Sequence, residues 1–174
     1  ERILRNIAGH SITVHCTVTS QTASRTGYYE EFLEFWSARE EVRQIWISIF
    51  TPQMGANDPE ILSPEARTHL IDSMVTLRER FPKLVFNDLV ANGYRQPPKS
   101  PSECIFSRTT VNYTADLVSK VTPCQFGGTP DCSQCGCIAS SGLAAVGDYK
   151  LFNVVPLRTL YNASDRIGKA VRPS

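Results

Sequence analysis

The stretch Cys124-Gln125-Phe126-Gly127-Gly128-Thr129-Pro130-Asp131-Cys132-Ser133-Gln134-Cys135-Gly136-Cys137 constrains this chain more than any other. It packs four of the six cysteines into fourteen positions, spaced C-x7-C-x2-C-x-C. Sulfurs this close either cross-link or share a metal. Gly127, Gly128, Pro130 and Gly136 allow the backbone to wrap tightly enough to aim several of them at one centre. A fifth cysteine, Cys104, lies twenty residues upstream of Cys124. The pattern predicts a metal site, with an iron–sulfur cluster as the leading candidate.

The rest of the composition narrows the choice. At 174 residues, 41% hydrophobic and 20% charged, the chain can build one sizeable core or a core with a small appendage. A net charge of +1 argues against nucleic-acid or membrane-surface partners, which call for a basic face. No apolar run approaches the roughly 20 residues that span a bilayer. The opening Glu1-Arg2-Ile3-Leu4-Arg5-Asn6 lacks the apolar stretch of a signal peptide and an initiator Met, so a fragment or a processed chain is expected. Six cysteines would allow three disulfides. Disulfide scaffolds, however, spread their cysteines through core-poor chains, whereas this one is rich in Leu, Ile, Val and Phe. Crowding late in a core-rich chain points to reduced thiols and a cytoplasmic metal protein.

Periodicity orders the elements. Ile3, Leu4 and Ile7 form a helical stripe that stops at Gly9. Residues 11–19 alternate polar and apolar and are β-branched, which predicts a strand. A helix is predicted over 27–43, with Tyr28, Phe32, Phe35, Trp36 and Val42 on its apolar face. Ile45-Trp46-Ile47-Ser48-Ile49-Phe50 reads as a strand buried on both faces of a parallel sheet. Ser63 caps a helix with Pro64 in its first turn and Ala66, Leu70, Met74, Leu77 and Phe81 at helical spacing. A third strand is predicted over 84–90. Strand–helix–strand–helix–strand implies parallel strands with right-handed crossovers.

The Pro-rich run Gln96-Pro97-Pro98-Lys99-Ser100-Pro101-Ser102 divides the chain into 1–95 and 96–174. Beyond it, 105–111 and 116–122 are β-prone around a turn at Thr114, a hairpin that would set Cys104 opposite Cys124. A helix over 138–146 and a last helix or pair of turns over 157–171 complete the expected fold. The class is α/β, with parallel strands followed by a cysteine-rich hairpin and helix.

Five thiols, Cys104, Cys124, Cys132, Cys135 and Cys137, are candidates for a site that normally takes four. Iron–sulfur clusters and structural zinc both accept four thiolates, so spacing does not choose the metal. Cys16 reads as a small buried hydrophobe. His10, His15 and His69 have no metal-type spacing. Paired carboxylates, a G-x-S-x-G elbow and phosphate-binding glycine motifs are missing, so no catalytic residue is assigned. Asp58-Pro59-Glu60 and Glu30-Glu31 read as solvated faces. Thr17, Thr19, Gln21 and Ser48 lie at or near the ends of parallel strands, where ligands bind in open α/β sheets.

Cys104-Ile105-Phe106 through Val121-Thr122-Pro123-Cys124, followed by Cys132-Ser133-Gln134-Cys135-Gly136-Cys137, resembles the auxiliary-cluster region of radical S-adenosylmethionine enzymes of the SPASM or twitch type. Residues 12–35 look like the fourth strand and helix of that family's partial β/α barrel, and 45–50 and 84–90 like its fifth and sixth strands. The resemblance implies that 1–95 is the C-terminal half of the barrel and 96–174 a domain holding an auxiliary cluster, with four irons and four sulfides. It implies that Thr17, Thr19, Gln21 and Ser48 supply part of a pocket for S-adenosylmethionine. It also implies an electron donor and a peptide or small-molecule substrate, with no nucleic-acid or membrane partner. The intact enzyme would cleave S-adenosylmethionine reductively to a 5′-deoxyadenosyl radical that abstracts a substrate hydrogen. The C-x3-C-x2-C loop that performs the cleavage in that family does not occur here. Alone, the chain should not carry out the chemistry. The alternative from another class is a non-catalytic zinc-binding interaction domain, and a disulfide-bonded secreted domain is a third.

Overall fold

A computed structural model describes residues 2–171. Glu1, in the predicted first helix, and 172–174, in the predicted cysteine domain, lie outside the described residues. The chain is mixed α/β. A short helix α1 (Arg2–Ile7) precedes strand β1 (Ile12–Val18), and a single helical turn α2 (Ser20–Ala23) leads into α3 (Tyr28–Ser37). Strand β2 (Val42–Ile49) then pairs with β1 in parallel, Cys16 beside Ile47 and Val18 beside Ile49. Parallel pairing follows from the helical crossover between the two strands. Alternation along β1 puts Cys16 and Val18 in the core and leaves Thr13, His15 and Thr17 exposed.

The expected helix over 27–43 is shorter than its stripe suggested. It ends at Ser37, and Val42 belongs to β2, where it is buried. Helix α4 (Pro64–Arg80) forms as its signals require. Ser63 Oγ accepts from Ala66 N–H at 3.2 Å, and Leu70, Ile71, Met74 and Leu77 turn into the core.

The third strand is a correction. Only one parallel bridge, Ile45 to Leu84, extends the sheet, with Val85 N–H donating to Ile45 C=O at 3.0 Å. Asn87 then caps helix α5 (Asp88–Arg95), its side chain accepting from Val90 N–H at 3.0 Å, so 88–90 are helical. The cap overrides the β-prone Leu84-Val85-Phe86 run. The described residues therefore show a two-stranded parallel sheet extended by that one bridge.

The hairpin is a second correction. Residues 105–109 form a helix, α6 (Ile105–Thr109), whose carbonyls are met by Thr109 Oγ1 on Ile105 at 2.8 Å and Thr110 Oγ1 on Phe106 at 2.7 Å. Local side-chain bonds of this kind redirect Ser and Thr segments away from sheet ladders. The ladder shrinks to β3 (Asn112–Tyr113) against β4 (Lys120–Val121). Asn112 faces Val121, where the predicted register would put Asp116. Cys104 and Cys124 are not cross-strand partners.

Past the cysteine run, α7 (Ile138–Asp148), a small hairpin of β5 (Lys150–Leu151) and β6 (Val155–Pro156), and α8 (Leu157–Val171) follow. Helices α5 and α7 pack without a spacer: a methyl on Gly93 would lie 2.6 Å from Ser141 Oγ. Ser141 Oγ donates to Val90 C=O at 2.6 Å. Tyr94, stacked on Phe86 with ring centres 5.4 Å apart, donates its hydroxyl to Ile47 C=O at 2.5 Å. Both halves of the sequence thus share one core around β2. Among the described residues no helix is long and apolar enough to cross a membrane.

The cysteine run is laid against the carboxyl end of β2. Ile49 N–H donates to Gly136 C=O, Asp131 N–H to Pro52 C=O and Met54 N–H to Thr129 C=O, each at 2.8 Å, with an antiparallel bridge from Gln53 to Pro130. This approach requires glycine at 136, because a Cβ there would lie 2.0 Å from Ile49 O and 2.5 Å from its carbonyl carbon. Gly136→Ala should therefore destabilise the fold by about 1–3 kcal/mol or detach the loop. Gly142→Ala in α7, with nothing within 4 Å of the new methyl, should instead gain about 0.5–1 kcal/mol in the same urea titration. Equal midpoints for the two variants would refute the docking.

Candidate metal centre

Docking along β2 gathers the cysteines at the carboxyl end of the parallel strands. Cys104, Cys124, Cys132, Cys135 and Cys137 all line one cavity, whose walls are completed by Pro98, Pro101, Phe106, Phe126 and Pro130. The cavity has about 20 Å³ of clear volume within a depression of about 370 Å³. All six cysteines are free thiols.

Each sulfur arrives by a different local device. Asp131 Oδ1 accepts from Ser133 N–H at 3.0 Å and from its hydroxyl at 2.6 Å, and Oδ2 accepts from the Gln134 amide at 2.7 Å. Those bonds fold Cys132–Gln134 into a 3₁₀ turn closed by Cys135 N–H on Cys132 C=O at 3.1 Å. Cys137 caps α7, its sulfur accepting from Ser140 N–H at 3.5 Å and from Gln125 Nε2 at 3.0 Å. Cys104 stands at the N-cap position of α6 without a capping bond, and its sulfur lies 3.2 Å from Ser140 Oγ. Ser107 Oγ donates to Pro123 C=O at 2.7 Å, which ties α6 to the residue before Cys124. Cys104 and Cys124 thus reach the same cavity, as the sequence suggests, through helix and loop packing in place of a strand register.

The strand-end residues are not brought together in the same way. Ser48 is 7% exposed, lies 2.8 Å from His15 Nε2 and accepts from Ile138 N–H at 3.2 Å. Thr19 caps α2 in a capping box with Thr22. Thr17 and Gln21 are exposed. None of the four is in the lining of the cysteine cavity. Two residues with no motif around them prove central. Thr51 Oγ1 accepts from Gly136 N–H at 2.9 Å, and Arg67 donates to the carbonyls of Tyr94, Gln134 and Cys135 at 3.1, 3.2 and 2.7 Å. Contacts between residues 27 to 85 positions apart reveal them, and a single sequence carries no such signal.

Burial disfavours the charged form of Cys132, Cys135 and Cys137. Burial first, then the fields of Cys135, Cys124, Cys104 and Asp131, push Cys132 up to about 11. Burial likewise lifts Cys137 to about 11 and raises Cys135. A bound cation reverses that balance, since metal ligation deprotonates thiols. The donor chemistry, all sulfur and no carboxylate, suits soft metals and iron–sulfur centres. Among the described residues, though, no three Cys, His, Asp or Glu side chains are grouped as a single ion needs. The sulfurs line a cavity and do not converge on a point. Its clear volume matches about one water molecule, so a larger group would require side chains at the mouth to move.

Comparison with protein-family models, curated proteins and solved structures finds no match to this chain.

The sign of the pH dependence follows from the raised thiols. Their folded values lie above the reference value of 9.0, so the neutral form contributes stability at low pH. That contribution is lost as pH rises toward about 11. The melting temperature of the reduced, metal-free chain should stay level up to about pH 8.5 and fall from there to pH 11. A melting temperature that rises over this interval would contradict the assignment.

Proposed function

We propose that the cavity holds an iron–sulfur cluster and that the chain is the auxiliary-cluster part of a radical S-adenosylmethionine enzyme. The observation that carries the first half is that five cysteines from three separate segments line one cavity. The second half rests on the resemblance of 104–137 to SPASM and twitch domains. On this reading β1, β2 and the bridging 84–85 segment belong to a partial β/α barrel. Thr17, Thr19, Gln21 and Ser48 would stand at its ligand-bearing end.

Cys104, Cys124, Cys132, Cys135 and Cys137 are the residues available to hold the cluster, which takes four thiolates. Zinc would need its sulfurs about 2.3 Å from one centre. An iron–sulfur cluster would instead share four thiolates among more than one iron. When bound, such a centre supplies one-electron transfer or an iron that a substrate can ligate. The chain's own residues perform the rest. Asp131 and Arg67 fix the Cys132–Cys135 turn, Gln125 and Ser140 hold Cys137, and Phe106, Phe126 and the prolines line the cavity with apolar surface.

Anaerobic reconstitution with iron and sulfide, followed by iron and sulfide counting and electron paramagnetic resonance, tests the proposal. Stoichiometric iron and sulfide with a cluster signal are expected, and Cys132→Ser should lower the iron content. A chain that takes one zinc ion and refuses iron sinks the cluster and supports a zinc-binding interaction domain.

A further inference from the structure

Arg67 is the least explained charge near the centre. It projects from α4, between Ala66 and Leu70 in the packed region, and reaches across to the loop. Its Nη1 donates to Gln134 C=O at 3.2 Å, and its Nη2 to Tyr94 C=O at 3.1 Å and Cys135 C=O at 2.7 Å. All of these acceptors are neutral, and among the described residues no ion pair with a carboxylate includes Arg67. Burial pulls its basicity down, yet a guanidinium stays charged at neutral pH. Arg67 is half-buried, and a guanidinium drawn partly out of water gains from a nearby anion. The ionisable groups facing it are Cys135 and Tyr94. Tyr94 is buried and raised well above its ordinary value, so it stays neutral. Through the Gln134 and Cys135 carbonyls the guanidinium sits against the backbone that carries Cys135, so a thiolate-ligated cluster there would lie beside it.

We propose that Arg67 is a positioning residue of the cysteine centre, clamping the Gln134 and Cys135 carbonyls and serving as counter-charge to an anionic thiolate-ligated cluster. The inference rests on the cluster reading above. The two parts of the role separate chemically. The planar fork bridges three carbonyls at once, a geometry that a lysine ammonium cannot reproduce. The charge, in contrast, is common to both side chains. A fixed positive charge beside the cluster favours its reduced, more negative form, and so raises its reduction potential.

The test reconstitutes wild type, Arg67→Lys and Arg67→Met anaerobically and measures iron per chain, iron loss to a chelator, reduction potential and melting temperature. Arg67→Met should retain iron about 10–100-fold less well, as other outer-shell ligand supports do, and show a lower potential. Arg67→Lys should keep a potential near that of wild type while losing iron faster. A purely structural Arg67 would lower the melting temperature of both variants and leave the potential of loaded protein unchanged, which overturns the proposal. Should Arg67→Met not fold, unchanged iron retention in Arg67→Lys overturns the clamp. A wild type that takes up no iron overturns the cluster reading together with this one. A loaded wild type with an indifferent Arg67→Met overturns this one alone.

Discussion

The contact between Gly136 and the backbone of Ile49 is where the geometry of the cysteine centre begins. A parallel strand ends at Ile49, and the chain continues through 50–54 with backbone groups that need partners. The cysteine run supplies them, exchanging bonds at Ile49, Pro52 and Met54. Ile49 also receives the close approach that only glycine permits. Each such bond is worth about 1 kcal/mol net, but leaving its groups buried and unpaired would cost more. The loop is therefore not a free appendage whose sulfurs search for a metal. Its backbone is fixed by the sheet end, and the cavity is what remains between that backbone, the Pro-rich segment and α6.

From this contact the positions of the sulfurs follow in turn. Ser48 and Thr51, flanking Ile49, accept from Ile138 and Gly136, so the start of α7 is referenced to β2. Cys137, as cap of α7, inherits that reference. Ser140 passes it on to Cys104, whose sulfur it meets at 3.2 Å. Cys132 and Cys135 are oriented by the Asp131 turn and held from beneath by Arg67.

What the sequence made legible is what short-range chemistry determines. The Ser63-Pro64 start and the stripe of Leu70, Met74 and Leu77 specify α4, and alternation with β-branched residues specifies β1. The Asn87 cap is equally local, but it follows directly on the β-prone Leu84-Val85-Phe86, which masks it. The β3–β4 ladder failed for a different reason. Its register is set by the turn at Thr114 and Asp116, whose side chains bond within the turn, while the segment before it is taken up by α6. The shared cavity of Cys104 and Cys124 arises from tertiary packing that no spacing encodes, and not from the shortened β3–β4 ladder.

Ser48 marks the limit on what this sheet end can do besides hold cysteines. A hydroxyl offers one donor and two acceptor positions. Ile138 N–H takes one acceptor and His15 Nε2 takes a second position, so at most one remains for a ligand. Thr19 is engaged in its capping box, with its hydroxyl facing Thr22 N–H. Thr17 and Gln21 carry no such commitments and stand exposed, Thr17 on the same face of β1 as His15. The four strand-end residues therefore divide by function. Ser48 and Thr19 hold the frame, and any pocket for a small molecule at this edge must draw its polar contacts mainly from Thr17, Gln21 and the backbone beside them.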